Sequence, residues 1–319
     1  MFNIIIIGAG NIGAFYDTPE SSEILTHAHA VKNSGFFNLL GFVDTDINKA
    51  IAAAELWGGQ AFSSVDEVFL NNKVDAAVIC TPEISHLSIL HIVFKYMNNT
   101  GLVLLEKPIT KTIEEASVML DEYGNRNILV NYSRRYFTKI NEIREKLNNG
   151  EFGKLLAGTA YYGKGINHNG THIIDLLLYL FGLVEVHKVT NKIFDYFDDD
   201  PSVGAILKVK DTDFILQPIP CNKVTIFEID FLFEKMRIVI SSNEKSKIQY
   251  YKAIDSNIYP GDRPYVLHKD ETLDSSEPLV NCYNHIVEIL NKREEPRCSI
   301  KDGYNCIKIC NKLLGSCDE

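Results

Sequence analysis

Two short stretches hold side chains placed for chemistry. In Glu106-Lys107-Pro108 a lysine stands between an apolar run and a proline, where it has little packing value. Its ammonium is a natural electrostatic partner for a hydroxyl that becomes an alkoxide as it loses hydride. In His168-Asn169-Gly170-Thr171-His172-Ile173-Ile174-Asp175 a histidine stands at the start of a strongly apolar helical stretch. An imidazole there can take the departing proton near neutral pH. Each residue also has a plain reading, Lys107 as a surface charge and His172 as a satisfied core histidine. His168 and His172 raise the question of a metal as well, because two histidines four apart share a helix face. Gly170 between them weakens that helix and no glutamate follows His168, so no metal is expected.

A hydride reaction needs a bound redox partner, and Met1 to Gly13 reads as the element that would hold one. Phe2 and Ile4 to Ile7 form an apolar run typical of a strand buried on both faces, as in a parallel sheet. The run ends in Gly8-Ala9-Gly10-Asn11-Ile12-Gly13. Gly8 permits a tight turn, Gly10 leaves room for a pyrophosphate against backbone, and Gly13 lets helix and strand pack closely. The helix N-terminus then offers unpaired N–H donors to the anion. Asp44 ends the next strand, Phe36 to Val43, where a carboxylate meets the adenosine ribose. No arginine follows it in Thr45-Asp46, so NAD is expected and NADP less so. The expected cofactor contacts here are Gly8, Gly10, Asn11, Ile12, Gly13 and Asp44. The gap between Gly13 and Asp44 exceeds the usual twenty or so residues. Its surplus, Tyr16 to Leu25, is either an inert loop or an active-site flap. His27 and His29 follow, either touching cofactor or substrate or serving at the surface or along a helix.

Alternation continues behind this start. Asp46 and Ser63 or Ser64 are helix caps, Val74 to Cys80 and Leu102 to Leu105 are strands, and Thr112 with Glu115 makes a capping box. Ile128 to Val130 is one more strand, and the pattern predicts a doubly wound parallel sheet over residues 1–130. Beyond Tyr132 it changes. A helix from Lys139 to Leu147, a strand from Leu155 to Tyr162 and a helix from Thr171 to Phe181 lead into long strand-like stretches. These are Val186 to Tyr196, Val203 to Val209, Phe214 to Ile219, Val224 to Ile240 and Ile248 to Ile254. Alternation of Phe227, Ile229, Phe231 and Phe233 with Glu228, Asp230 and Glu234 gives a sheet with one packed and one wet face. Two amphipathic helices close the chain, the first with Tyr283, Ile286, Val287 and Leu290 as its buried stripe. Residues 131–319 are therefore read as one α/β domain with a large, mostly antiparallel open sheet.

At 319 residues, 45% hydrophobic, the chain can fill two cores. A net charge of −10 and a pI of about 5.4 argue against nucleic acid or an anionic membrane as partner. No apolar run reaches a membrane span, and Met1 leads directly into a core strand, so a cytoplasmic protein is expected. Seven cysteines (80, 221, 282, 298, 306, 310 and 317) show no metal-type spacing. Cys306 and Cys310 share a helical face with Ile309, Leu313 and Leu314 and read as packed thiols.

Taken together, the motifs resemble the Gfo/Idh/MocA oxidoreductases (glucose–fructose oxidoreductase, inositol dehydrogenase and relatives). The resemblance rests on the glycine turn, Asp44, Thr81-Pro82…His86, Glu106-Lys107-Pro108, Asn131-Tyr132-Ser133-Arg134-Arg135-Tyr136, Thr171 to Leu177, and Asp302-Gly303. It implies a Rossmann domain followed by an α/β domain whose open sheet mediates a homodimer or homotetramer. The implied activity is hydride exchange between nicotinamide and a sugar or cyclitol. Thr81, Pro82, His86, Glu106 and Lys107 are then expected at the cofactor, the site lying at the carboxyl ends of the parallel strands, between the two domains. Lys107 falls on the family's catalytic lysine and His172 on its acid–base histidine. The family usually has aspartate four residues before that histidine, where this chain has His168, which can still bind substrate or shuttle a proton. Further substrate contacts are expected from Arg134, Tyr161, Tyr162, Lys164, Asn169 and Asp175. A strand's alternation lets only one of the two tyrosines face the pocket. Arg134-Arg135 have ion pairing as their alternative, and Asp175 either orients His172 or packs the helix. A His-Asn-Gly-(Ser/Thr)-His segment further resembles members acting on nucleotide-linked or amino sugars of surface glycans. The alternatives within the fold are an NAD-retaining, redox-assisted glycoside hydrolase and a non-catalytic dinucleotide-sensing regulator.

Overall fold

The computed structural model describes residues 1–242 and 245–315; Cys317 lies outside them. The chain divides into two units. The first is residues 1–137 with 275–307, and the second is residues 138–274 with the described residues from Lys308 onward.

The first unit opens with β1 (Phe2–Ile7), α1 (His27–Ser34), β2 (Phe37–Val43), α2 (Ile47–Trp57), β3 (Gln60–Phe62) and α3 (Val65–Asn71). It continues with β4 (Ala76–Ile79), α4 (His86–Tyr96), β5 (Leu102–Leu105), α5 (Ile113–Tyr123) and β6 (Ile128–Val130). The helices start where side chains cap them. Thr26, Asp46, Ser64 and Thr112 each accept a backbone N–H from the first turn of the following helix. All six strands are parallel in the order β3-β2-β1-β4-β5-β6, the doubly wound order of dinucleotide-binding sheets. Ile4 to Ile7, all of β4 and all of β5 are buried, as strands covered on both faces must be.

The second unit begins with α6 (Thr138–Asn148), β7 (Leu155–Tyr162) and α7 (Thr171–Phe181). Its remaining strands are β8 (Val184–Ile193), β9 (Ser202–Val209), β10 (Thr212–Pro218), β11 (Phe227–Phe233), β12 (Met236–Ser242), β13 (Ser246–Ala253) and β14 (Tyr265–Thr272). They form one sheet, β14-β13-β12-β11-β7-β10-β9-β8, antiparallel except where β7 meets β10. Phe181, Phe214, Phe231 and Phe233 pack ring against ring on its covered face. Nine of the eleven residues of α7 are buried, which accounts for its apolar composition. Val224 to Ile240, read from sequence as one strand, is two, paired across Glu228 to Leu232 and Arg237 to Ser241 with a turn at Glu234-Lys235. β14 has no counterpart in the reading because most of it is exposed and shows no alternation.

The chain then returns. α8 (Glu277–Leu290) belongs to the first unit, and α9 (Ile300–Leu314) contains the boundary at residues 307 and 308. The sequence reading places one division at 130/131, whereas the chain passes between the units three times, after residues 137, 274 and 307. Leu279, Cys282, Tyr283, Ile286, Val287 and Ile289 of α8 join one buried cluster with Ala28, Ala30, Val31 and Phe37. At the sheet edge, the Val130 N–H donates to the Cys298 carbonyl, so β6 ends paired rather than bare. Cys306 and Cys310 are buried, as their helical spacing predicts.

Candidate active site

The parallel register decides which residues meet. Val43, Ile7, Ile79, Leu105 and Val130 lie side by side across β2, β1, β4, β5 and β6. The next residue along each strand therefore forms a row: Asp44, Gly8, Cys80, Glu106 and Asn131. This row runs along the carboxyl edge of the sheet, where ligands bind in open α/β folds.

Gly8 has φ +104°, and a Cβ there would stand 2.9 Å from the backbone of Cys80 and Thr81. At Gly13 a Cβ would stand 2.3 Å from the Gly8 carbonyl oxygen. These two glycines close the turn against its own backbone. Gly10 differs, because a Cβ there would meet nothing within 4 Å. Its glycine leaves open space, as an approaching phosphate group requires. Asn11–Phe15 follows as a single π-helical turn, with Ile12 packed against the core and the Tyr16 N–H donating to the Asn11 carbonyl. One carboxylate oxygen of Asp44 accepts the Ala9 N–H at 2.9 Å, and the other accepts the Asp46 N–H at 2.9 Å. Asp44 thus braces the glycine turn while keeping further lone pairs for hydroxyl donors. In the same row Asn131 Oδ1 is buried and meets no donor among the described residues. A glycine cradle, a braced carboxylate and an orphaned acceptor together fit a dinucleotide.

Glu106 is the most connected member of the row. Its Oε1 accepts from His27 Nε2 at 3.1 Å and from Asn131 Nδ2 at 2.6 Å, and its Oε2 accepts the Lys107 N–H at 3.2 Å. Burial pushes this carboxyl upward, but the hydrogen bond and charge of His27, the Asn131 amide and the Lys107 charge outweigh it and hold it below its ordinary value. Lys107 itself is half-buried, and its bond to Pro108 is cis. The Thr81 hydroxyl accepts from Ser85 Oγ, and Pro82 leads into a short 3-10 turn, Glu83–Ser85, ahead of α4. His86 was expected at the cofactor. It is instead a brace, 1% exposed, its ring nitrogens at 3.0 Å from the Ile109 carbonyl and 2.9 Å from the Thr81 carbonyl. It ties the turn after β4 to the segment after β5. Burial pushes its imidazole below the ordinary value, against the pull of the two carbonyls. Arg134 is half-buried. Arg135 is buried and donates to the Arg297 carbonyl at 2.9 Å beside Asp302 at 3.4 Å, a structural ion pair.

The stretch Tyr16 to Leu25 is closed at its base. Asp17, 6% exposed, accepts from the Leu25 N–H, from the Thr26 N–H and hydroxyl, and from His29 Nδ1 at 2.9 Å. His29 also lies against the Trp57 ring, 5.3 Å between centroids. His27 is fully buried, which the surface reading of these histidines did not foresee.

In the second unit the other expected residues gather on one turn and the helix behind it. Ile166–Gly170 is again a single π-helical turn, entered through Lys164 and Gly165, both at positive φ (65° and 80°). Two carboxylates from the segment between β8 and β9 hold it. Asp195 accepts from the N–H groups of Lys164 and Cys221 and from the Ser202 hydroxyl. Asp200 accepts from the N–H groups of Asn167 and His168. Their environments act in opposite directions. For Asp195 burial is outweighed by these donors and the carboxyl is held low, whereas for Asp200 burial prevails and pushes it up. Sequence reading missed both, since nothing near residues 195–200 marks them as partners of a turn some thirty residues away.

His168 is exposed and lies by the Phe197 and Tyr196 rings, 5.1 and 6.5 Å between centroids. Lys164 Nζ stands 5.6 Å over the Tyr196 ring. Asn169 donates to the Gly163 carbonyl, His172 is half-buried on the first turn of α7, and Asp175 is buried one turn on. Tyr161 is half-buried, while Tyr162 is wholly buried, its hydroxyl accepting the Val203 N–H and donating to the Val203 carbonyl. Tyr162 therefore does not line a pocket. Its ring lies where a Cβ on Gly170 would come within 2.7 Å, so it explains that glycine. Among the described residues no group of three or more His, Cys, Asp or Glu side chains could hold a metal ion, and no helix is long and apolar enough to cross a membrane.

Residues 2–132 match the family model described as an oxidoreductase family with an NAD-binding Rossmann fold. The chain is 25% identical over 206 residues to glucose-6-phosphate 3-dehydrogenase of Bacillus subtilis (strain 168), covering 57% of this chain and 54% of that protein. It is 29% identical over 157 residues to inositol 2-dehydrogenase of Arthrobacter sp. (strain FB24), covering 48% and 43%. The matched part thus spans about half the length of these curated relatives. Its fold is similar to that of UDP-N-acetylglucosamine 3-dehydrogenase from Acidithiobacillus ferrooxidans, with a TM-score of 0.73, 19% identity, and coverage of 98% of this chain and 96% of that one.

Proposed function

We propose that this chain is a member of the Gfo/Idh/MocA oxidoreductases, whose NAD-binding Rossmann model matches residues 2–132, and that it is an NAD-dependent oxidoreductase acting on a sugar hydroxyl or ketone. The observation that carries the reading is the row at the carboxyl edge of the parallel sheet. There the glycine cradle, the braced Asp44 and the Glu106-Lys107 turn leave neighbouring strands at one level. NAD, when bound, supplies the site that gives or takes hydride. Asp44 receives the ribose hydroxyls and repels a 2′-phosphate, so NAD is preferred over NADP. Lys107 stabilises charge growing on the substrate oxygen, and His172 accepts or returns its proton. His168, Asn169, Tyr161, Lys164, Arg134 and Asp175 contact the sugar. Nucleotide-linked or amino sugars of surface-glycan synthesis are the leading substrates, supported by relatives named for phosphorylated and nucleotide-linked sugars. A homodimer or homotetramer through the open sheet of the second unit belongs to the same reading.

The test has two steps. Fluorescence titration should give tighter binding of NADH than of NADPH. A panel of sugars and nucleotide sugars is then assayed for NADH formation or consumption. On the active substrate Lys107→Met should lower turnover about a hundredfold or more with NADH affinity kept. Tighter NADPH binding refutes the cofactor assignment, and undiminished turnover in Lys107→Met refutes the site.

A further inference from the structure

We propose that His27 is a positioning residue of the site, holding and orienting the Glu106 carboxylate so that the turn after β5 presents Lys107 correctly. The role for Lys107 rests on the oxidoreductase reading above, whereas the coupling of His27 to Glu106 does not. Three observations carry it. His27 is 0% exposed, although it opens a helix and follows a polar loop. Its two ring nitrogens are both engaged, Nε2 with Glu106 Oε1 at 3.1 Å and Nδ1 with the Tyr283 hydroxyl at 3.1 Å. Glu106 in turn accepts the backbone N–H of Lys107 itself at 3.2 Å.

The hydrogen-bond pattern orders the protons. A carboxylate can only accept, so the ring proton sits on Nε2 and points at Glu106. In the neutral ring Nδ1 then carries a lone pair and accepts the Tyr283 hydroxyl proton, and in the imidazolium it donates to that hydroxyl instead. Every donor meets an acceptor in the series Tyr283, His27, Glu106, and Asn131 Nδ2 adds a second donor to the same carboxylate oxygen. Tyr283 arrives on α8, so the last segment to join the first unit fixes the tautomer of a residue on its first helix. The groups facing Glu106 are His27 of α1, Lys107, Cys80 after β4, His86 of α4, and Cys282 and Tyr283 of α8. In that set His86 has both ring nitrogens on the Ile109 and Thr81 carbonyls, so His27 is the imidazole that brings its ring N–H to the carboxylate. Replacing His27 by a hydrocarbon leaves a buried carboxylate short of one charge-assisted donor.

The experiment combines carboxyl NMR with kinetics on the full chain. The Glu106 resonance is assigned by its loss in Glu106→Gln and titrated in wild type, His27→Leu, His27→Gln and Tyr283→Phe. The expected result is a Glu106 titration displaced upward by about one pH unit or more in His27→Leu, a tenfold change in acidity. His27→Gln, which keeps an amide N–H, should recover most of it. Turnover should fall about tenfold to a hundredfold in His27→Leu with NADH affinity within about threefold of wild type. A Glu106 titration unmoved in the folded His27→Leu or, if that variant does not fold, equal in His27→Gln and Tyr283→Phe to wild type, overturns the coupling. A moved titration with wild-type turnover overturns the link to Lys107. A moved titration in a protein that turns over no sugar upholds the coupling and removes the oxidoreductase reading instead.

Discussion

Two turns of the same uncommon kind stand in the molecule, π-helical turns at Asn11–Phe15 and Ile166–Gly170, each entered through a glycine. They are held in different ways. The first is shaped by exclusion, because the backbone atoms of Gly8 and Cys80 crowd the positions where Cβ atoms on Gly13 and Gly8 would stand. The second is held by attraction, because Asp200 collects the N–H groups of Asn167 and His168 in the turn and Asp195 that of Lys164 at its entrance, both from a loop far along the chain. A turn set by exclusion is tied to particular glycines and tolerates no side chain. One set by carboxylates is tied to charge, and pH can reach it.

The widest test of that difference is a pair of glycine substitutions. Gly13→Ala places a methyl against a backbone oxygen and should cost ~3 kcal/mol or more, with loss of measurable NADH binding. Gly10→Ala meets open space, so urea unfolding should match wild type while NADH affinity falls about tenfold, ~1.4 kcal/mol. Equal stability loss in both would remove the distinction between a packing glycine and a clearance glycine. The second turn should show a split in pH dependence. Asp195 is held below its ordinary value, so its stabilisation is full above about pH 3.8 and is lost as pH falls through the lowered value. Asp200 is pushed up, so its contribution is full below that range and declines as pH rises through the raised value. Asp195→Asn should therefore flatten a rise in the urea midpoint with pH, at a cost of about 1.5–3 kcal/mol near neutrality. Asp200→Asn should flatten a fall. Parallel changes in the two variants would refute the opposed environments.

Legibility in the sequence follows the same division. The glycine turn, Asp44 and the strand-end lysine could be read because the constraints act within one βαβ unit and use residues with few other uses. Tyr162 shows the limit, since alternation told that one of two tyrosines faces inward but not which. Its burial was settled by Val203, which lies 41 residues further on. His27 and the return of α8 were hidden for the same reason, their partners being 79 and 256 residues away. The smallest effect expected here comes from Tyr162→Phe, about 1–2 kcal/mol in urea unfolding, for it removes a hydroxyl bonded twice to Val203. A loss of substrate affinity without loss of stability would return Tyr162 to the pocket.

The return of α8 has a consequence for how the protein is made. A ribosome releases the six strands of the parallel sheet long before residues 279–289, which close the apolar side of α1 and β2. Until they emerge, Val31 and Phe37 face water, and His27 lacks the hydroxyl that fixes its proton. The nucleotide-binding half is thus the first to be started, yet it cannot be completed until the whole intervening sheet has been translated.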